Sequence, residues 1–174
     1  MALYLIELTP ATASKDEATA LIETVSNSLS EGAELIETQV SADHKLIFAI
    51  IESENTAFAP ALTAAIGERA SVVGPDEVRL VGAELDDIKK LKKDADYLVE
   101  WDIPAEITME QYLTRKKANA PKYAEVPEVS FLRTYVREDT AKCLCFYDAP
   151  DEDAVLRARK AGSTPIDRLF KLHA

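Results

Sequence analysis

Apolar positions recur along the chain with two periods, and the alternation between them sets out the elements. Residues 3 to 8, LYLIEL, are a short apolar run closed by Pro10, the length of a strand. Ser14 and Glu17 then have the spacing of a capping box, in which each side chain satisfies an amide at a helix start. Ala18, Leu21, Ile22, Val25 and Leu29 follow on one helical face, with Gly32 as the stop. Leu35 to Val40 reads as a strand, Ser41 to His44 as a turn, and Leu46 to Ile51, LIFAII, as a strand apolar on both faces and so covered on both. A helix from Ala57 to Ile66 presents Phe58, Leu62, Ala65 and Ile66, and a strand at Val78 to Val81 completes the order β-α-β-β-α-β.

The same order then returns. Tyr97 to Trp101 is a strand, and Thr108 with Gln111 caps a helix that runs through Lys117. Val129 to Asp148 is a hairpin, Asp151 to Ala161 a helix stopped by Gly162, and Ile166 to Leu172 a closing strand. The first hairpin arm alternates Val129, Phe131, Arg133 and Tyr135 with Ser130, Leu132, Thr134 and Val136, which predicts opposite faces for the two sets. The return arm places Cys143, Cys145 and Tyr147 opposite Leu144 and Phe146. Between the halves, Leu85, Ile88 and Leu91 among four lysines predict a short connecting helix within residues 84 to 95.

Residue matches accompany the repeated order. Tyr4, Leu5, Ile6 and Glu7 correspond to Tyr97, Leu98, Val99 and Glu100, and Thr38, Val40 and Asp43 to Thr134, Val136 and Asp139. The pattern predicts an α+β chain of two tandem ferredoxin-like repeats, residues 1–83 and 96–174. Apolar strands such as LIFAII need cover on the face without helices, which predicts sheet-to-sheet packing as an internal pseudo-dimer, like a dimeric α/β barrel.

Charge narrows the partners. The 174 residues carry a net charge of −11, so a nucleic-acid partner is not expected. Residues 1–83 hold 13 acidic and 4 basic side chains, and residues 84–174 hold 18 and 16, so the first half is the acidic one. Solvated negative charge accounts for this as well as a basic partner would. The first residues, MALYLIEL, lack the basic flank of a signal peptide and are too few to span a membrane, which predicts a cytoplasmic protein. Two cysteines at i and i+2 on a strand do not readily bridge, in keeping with a reducing compartment.

At YLVEWDIP, LRTYVREDTAKCLCFYDAPDEDAV and KAGSTPIDRLFKL, the second half resembles a family of small bacterial ferredoxin-like proteins whose described members include a nickel-binding dimer. Glu100, Tyr135, Asp139, Lys142, Cys145, Tyr147, Ala149, Pro150 and Asp167 fit the family pattern. Thr134 stands for Ser, Asp148 for Glu, one extra residue separates Gly162 from Pro165, and a His that many members carry on the last helix, at a place near Arg159, is absent. The resemblance covers about residues 96 to 172 and implies a ferredoxin-like fold and a dimer-like assembly, and leaves a metal open. The first half then looks like a diverged copy.

Several residue types carry candidate chemistry. Glu100 and its counterpart Glu7 lie in otherwise apolar strands, and a buried carboxylate there must meet Arg133, Lys142 or a ligand. Cys143 and Cys145 are soft-metal donors in type, but small buried hydrophobes is the favoured reading. His44 beside Asp43, and His173, are the imidazole donors available to nickel or another divalent cation, and a surface histidine is the favoured reading of each. Tyr97, Trp101, Phe131, Tyr135, Phe146 and Tyr147 line a cavity or pack a core. Gly-rich phosphate loops, nucleophile elbows, CxxC and HExxH are all absent.

Three functions follow. The first is non-catalytic binding of a small ligand or divalent metal in or near the inter-sheet space, through Glu100, Arg133, Tyr135, Cys145, Tyr147 and Glu7, or through His44, Asp43 and His173 for a metal. The second is a cofactor-free enzyme acting on a hydrophobic small molecule, with Glu100 or Tyr135 as acid or base. The third is a regulatory or assembly module. A monomeric pseudo-dimer and a homodimer are both compatible with all three.

Overall fold

The computed structural model describes residues 1–91 and 94–172, which fall into two compact units. Strand β1 (Ala2–Pro10), helix α1 (Lys15–Ser28), strands β2 (Glu34–Val40) and β3 (Ile47–Ser53), helix α2 (Ala59–Ile66) and most of β4 (Ala70–Val81) build the first unit, with strand order β2-β3-β1-β4. β1 pairs antiparallel with both β3 and β4, and β2 with β3.

Ser14 caps α1 by accepting a hydrogen bond from the Glu17 amide at 3.1 Å, but the expected reciprocal bond is replaced: the Glu17 carboxylate accepts from Arg69 Nε at 3.2 Å. The helix ends at Ser28, and Leu29 already has extended geometry. Its buried stripe, Ala18, Leu21 and Val25, packs with Leu62 and Ile66 of α2 over Tyr4, Ile6, Leu8, Ile47, Ala49 and Ile51. Leu5, Phe48 and Ile50 project from the other side of the same strands and are buried too, as the continuous apolar run requires.

β4 is three times the expected length, because its solvent-facing positions hide its period in the sequence. A bulge interrupts its pairing with β1 between Leu5 and Glu7, and Gly74 sits there at φ +103°. Helix α3 (Leu85–Lys89) is shorter than expected and belongs to the first unit, where Lys89 reaches Glu34 and Glu52 at 3.3 and 3.1 Å. The rest of the expected connecting helix includes residues 92 and 93, which lie outside the described residues.

The second unit takes the end of β4 from Arg79 and then β5 (Tyr97–Asp102), α4 (Met109–Asn119), β6 (Ser130–Arg137), β7 (Lys142–Asp148), α5 (Glu152–Ala161) and β8 (Arg168–Lys171). Its strands β6-β7-β5-β8 repeat the first unit's order, with β7 antiparallel to β5 and β6, and β8 antiparallel to β5. The Thr108–Gln111 capping box is complete, with bonds of 2.9 and 3.2 Å. A 3₁₀ turn, Ala120–Glu125, follows α4 where the sequence shows no period.

Val99, Trp101, Cys143, Cys145 and Tyr147 face α4 and α5, and Leu98, Glu100, Leu144 and Phe146 the other side, as the alternation of β5 and β7 predicts. β6 departs from its pattern. A bulge between Phe131 and Arg133 shifts the register, so Phe131 joins Tyr123 and Tyr147 on the helix side while Arg133 and Tyr135 contact Phe146 on the other. The expectation that Phe131, Arg133 and Tyr135 share a face is therefore corrected, since one extra residue reverses the alternation upstream of it.

Candidate functional site

Glu100 is 3% exposed in the strand flanked by β7 and β8. Its Oε2 receives Arg168 Nε at 2.7 Å and Lys142 Nζ at 3.3 Å. Lys142 was an expected partner; Arg168 was not, because only the β5–β8 register brings residue 168 opposite residue 100. Arg168 extends the cluster to Asp102, donating through Nη1 at 3.0 Å and Nη2 at 2.5 Å, and the Asp102 amide donates to Asp167 Oδ2 at 2.6 Å. Arg133 lies 4.9 Å from the Phe146 ring centre, and Tyr135 meets the same ring edge-on at 6.0 Å.

The Arg168 hydrogen bonds hold the Asp102 carboxyl below its usual range. A carboxyl depressed by folding stabilises above its unfolded value near pH 4 and loses that contribution as pH falls through the lower folded value. Urea midpoints measured from about pH 5 to about pH 2 should therefore fall less steeply for Asp102→Asn than for the unaltered chain.

The other candidates lie elsewhere. Glu7 is half-buried in β1 of the first unit. His44 occupies the β2–β3 turn at φ +60°, and Asp43 Oδ1 beside it accepts from Ser41 Oγ at 2.7 Å and the Lys45 amide at 3.0 Å, so that carboxylate holds the turn. His173 lies outside the described residues. Among the described residues no three His, Cys, Asp or Glu side chains converge as a metal set.

The helix side of the second unit holds a cleft. Trp101, Cys143 and Cys145 form its floor; Tyr112, Arg115, Lys116 and Asn119 line it from α4; Tyr123 and Thr164 close it. It encloses about 350 Å³ open to solvent, of which about 20 Å³ is accessible to a water-sized molecule, room for roughly one water. The thiols are 1% exposed and their sulfurs stand 4.0 Å apart. Thr134 Oγ1 donates to Cys145 Sγ at 3.2 Å, and Lys116 Nζ lies 4.0 Å from the same sulfur and 4.4 Å from the Phe131 ring centre. Arg115 stacks on Trp101 at 5.3 Å.

Behind the floor, Arg159 of α5 is 1% exposed, donating through Nη1 to Tyr147 Oη at 3.0 Å and through Nη2 to the Pro165 carbonyl. Tyr147 Oη also shares a 3.0 Å hydrogen bond with Tyr123 Oη. The Cys143 thiol, opposed by burial and helped by Lys116, Arg159 and Thr134, holds Cys145 well below the ordinary thiol range. Cys143 is pushed well above it, first by its neighbour Cys145 and then by burial. Burial pushes the Tyr147 and Tyr112 hydroxyls upward, with Cys145 adding to both.

The predicted ligand residues thus separate into Cys145 on the cleft floor, Tyr147 behind it, Glu100, Arg133 and Tyr135 on the opposite face, and Glu7 in the other unit. Sequence reasoning missed the α4 wall, although Tyr112, Arg115, Lys116 and Asn119 recur at i, i+3, i+4 and i+7. Arg159 also had a signal, standing on the apolar stripe Ala154, Val155, Ala158.

The fold is that of the dimeric α/β-barrel proteins. TA0507, described as a candidate chlorite dismutase, aligns over 100% of this chain and 96% of its own with a TM-score of 0.59 at 15% identity. FN1347 of Fusobacterium nucleatum, described as a candidate monooxygenase, aligns over 98% and 90% with a TM-score of 0.54 at 13% identity. Residues 97–172 match the family model described as nickel responsive protein SCO4226-like. SCO4226 of Streptomyces coelicolor A3(2) itself aligns over 44% of this chain and 94% of its own, at 17% identity and a TM-score of 0.38. No curated protein matches the chain. No helix among the described residues is long and apolar enough to cross a membrane.

Proposed function

We propose that the protein is a non-catalytic binder of a small molecule, and that its ligand enters the cleft beside α4 rather than an inter-sheet space. The observation that supports this most is the composition of the walls: Arg115 and Lys116 supply positive charge, Trp101 and Tyr123 supply flat apolar surface, and Asn119 supplies an amide. A few polar groups set on an apolar concave surface are what a small-molecule site requires. The fitting ligand is a small aromatic or apolar carboxylate, with its acid group toward Lys116 and its flat body against the rings. Glu100, already engaged by Lys142 and Arg168, serves in this reading as scaffold.

Nickel is the second reading, favoured by the family match over residues 97–172. Its weakness is the donor set, since Cys143 and Cys145 have no third ligand among the described residues and stand beside cations. Calorimetry of untagged protein distinguishes the two. Saturable heat with a series of aromatic carboxylates such as benzoate and salicylate, weakened about tenfold or more by Lys116→Ala, is expected. Saturable heat with nickel chloride and none with any carboxylate would replace the first reading by the second.

A further inference from the structure

The cleft floor carries chemistry that ligand binding does not use. Arg159 is fully buried, and no carboxylate pairs with it among the described residues. Its Nε has no hydrogen-bond partner at all. A buried guanidinium without a counter-charge is costly, and the ionisable groups around it are Cys145, Tyr147 and Tyr123. Of these only a thiol ionises readily, so Cys145 is the group able to supply the missing negative charge. Lys116 approaches the same sulfur from α4, and Thr134 donates to it from β6.

A second observation points outward from the sulfurs. Tyr112 Oη is buried on the cleft wall, where it meets the Cys143 thiol. The cleft has about 20 Å³ accessible to a water-sized molecule, room for roughly one oxygen. Soft metal ions are disfavoured as occupants because Lys116 and Arg159 already place two cations there. A neutral molecule with an electrophilic oxygen meets no such repulsion.

We propose that Cys145 is a reactive thiolate that a hydroperoxide oxidises reversibly to a sulfenic acid. The thiolate attacks the terminal oxygen of the peroxide, forming the S–O bond as the O–O bond breaks. Sulfur loses two electrons, and the departing alkoxide or hydroxide, which takes the bonding pair, receives a proton from the Lys116 ammonium to leave as alcohol or water. Lys116 regains its proton from solvent at the cleft mouth. Tyr112 Oη supplies the hydrogen bond that holds the sulfenic oxygen. Cys143, held protonated, donates to Cys145 before the reaction and does not compete with it. This site stands whether or not a carboxylate binds above it.

The test uses the full chain and hydrogen peroxide as probe, with dimedone to trap sulfenic acid and peptide mass spectrometry to place it. Native protein should carry the adduct on Cys145 and not on Cys143, and Cys143→Ser should still be labelled. Iodoacetamide at about pH 6 should alkylate Cys145 about tenfold or more faster in the native chain than in urea, where the thiol regains its ordinary pKa. Lys116→Met should slow peroxide oxidation about tenfold while leaving the thermal midpoint unchanged. Labelling confined to Cys143, or labelling of Cys145 only after unfolding, would overturn the proposal. Equal alkylation rates in native and urea-treated protein would do the same, and this comparison needs no variant to fold.

Discussion

Glu100→Gln should lower the unfolding free energy by about 3 kcal/mol, read as a shift of the urea midpoint at neutral pH. The substitution keeps the shape of the side chain and removes only its charge. Two cations then lose the Glu100 carboxylate: Lys142, whose side chain is 15% exposed, and Arg168, which is 41% exposed. Arg168 can turn back to water and to Asp102, so most of the loss falls on the hydrogen bonds to Oε2. Restoring a neutral environment by pairing the change with Lys142→Met should recover a good part of the loss, because hydrophobic replacement of a whole buried pair is far less damaging than removal of one member. An unchanged or raised midpoint for Glu100→Gln alone would mean that the carboxylate is held in reserve for a ligand.

Gly74→Ala should cost about 3 kcal/mol or more and act on the first unit, with no cleft residue touched. A Cβ built at Gly74 falls 2.4 Å from the Leu5 carbonyl oxygen, a backbone atom of the neighbouring strand that cannot rotate away. Its φ of +103° adds strain for any side chain. Relief would require β4 to separate from β1 at the bulge, breaking ladder hydrogen bonds on both sides of it. Hydrogen exchange should show the loss concentrated in amides of β1 and β4. A variant within about 0.5 kcal/mol of the unaltered chain would show that the strands part without penalty.

Much of the fold is legible in the sequence because its elements carry simple periods. The stripe Ala18, Leu21, Val25 and the run Ile47 to Ile51 declare a helix and a strand without help. The face assignment of Cys143, Cys145 and Tyr147 follows from alternation alone. Alternation misleads at Phe131, since a bulge is a local accommodation to the partner strand and has no signature in one strand's own residues. The cleft was harder. Arg115 and Lys116 carry no flag in the sequence because nothing in a single helix says that its polar face overlooks a hollow, and Tyr123 lies in a turn with no period at all. Arg168 meets Glu100 only through strand pairing across 68 residues of sequence.

Trp101 is the chain's one tryptophan, and its placement gives the protein a built-in optical marker. The indole is 4% exposed, stacked beneath Arg115, 6.2 Å from Tyr112 and directly across the ladder from Cys143. Shielding from water should give a blue emission maximum in the folded state, with the adjacent thiol drawing down its intensity. On unfolding, the band should move to the red and brighten together. Because every one of these neighbours belongs to the second unit, the emission follows that unit alone, whereas circular dichroism sums the helices of both. Coincident transitions by the two signals would mark a single cooperative fold, and separated ones would time the order in which the halves are lost.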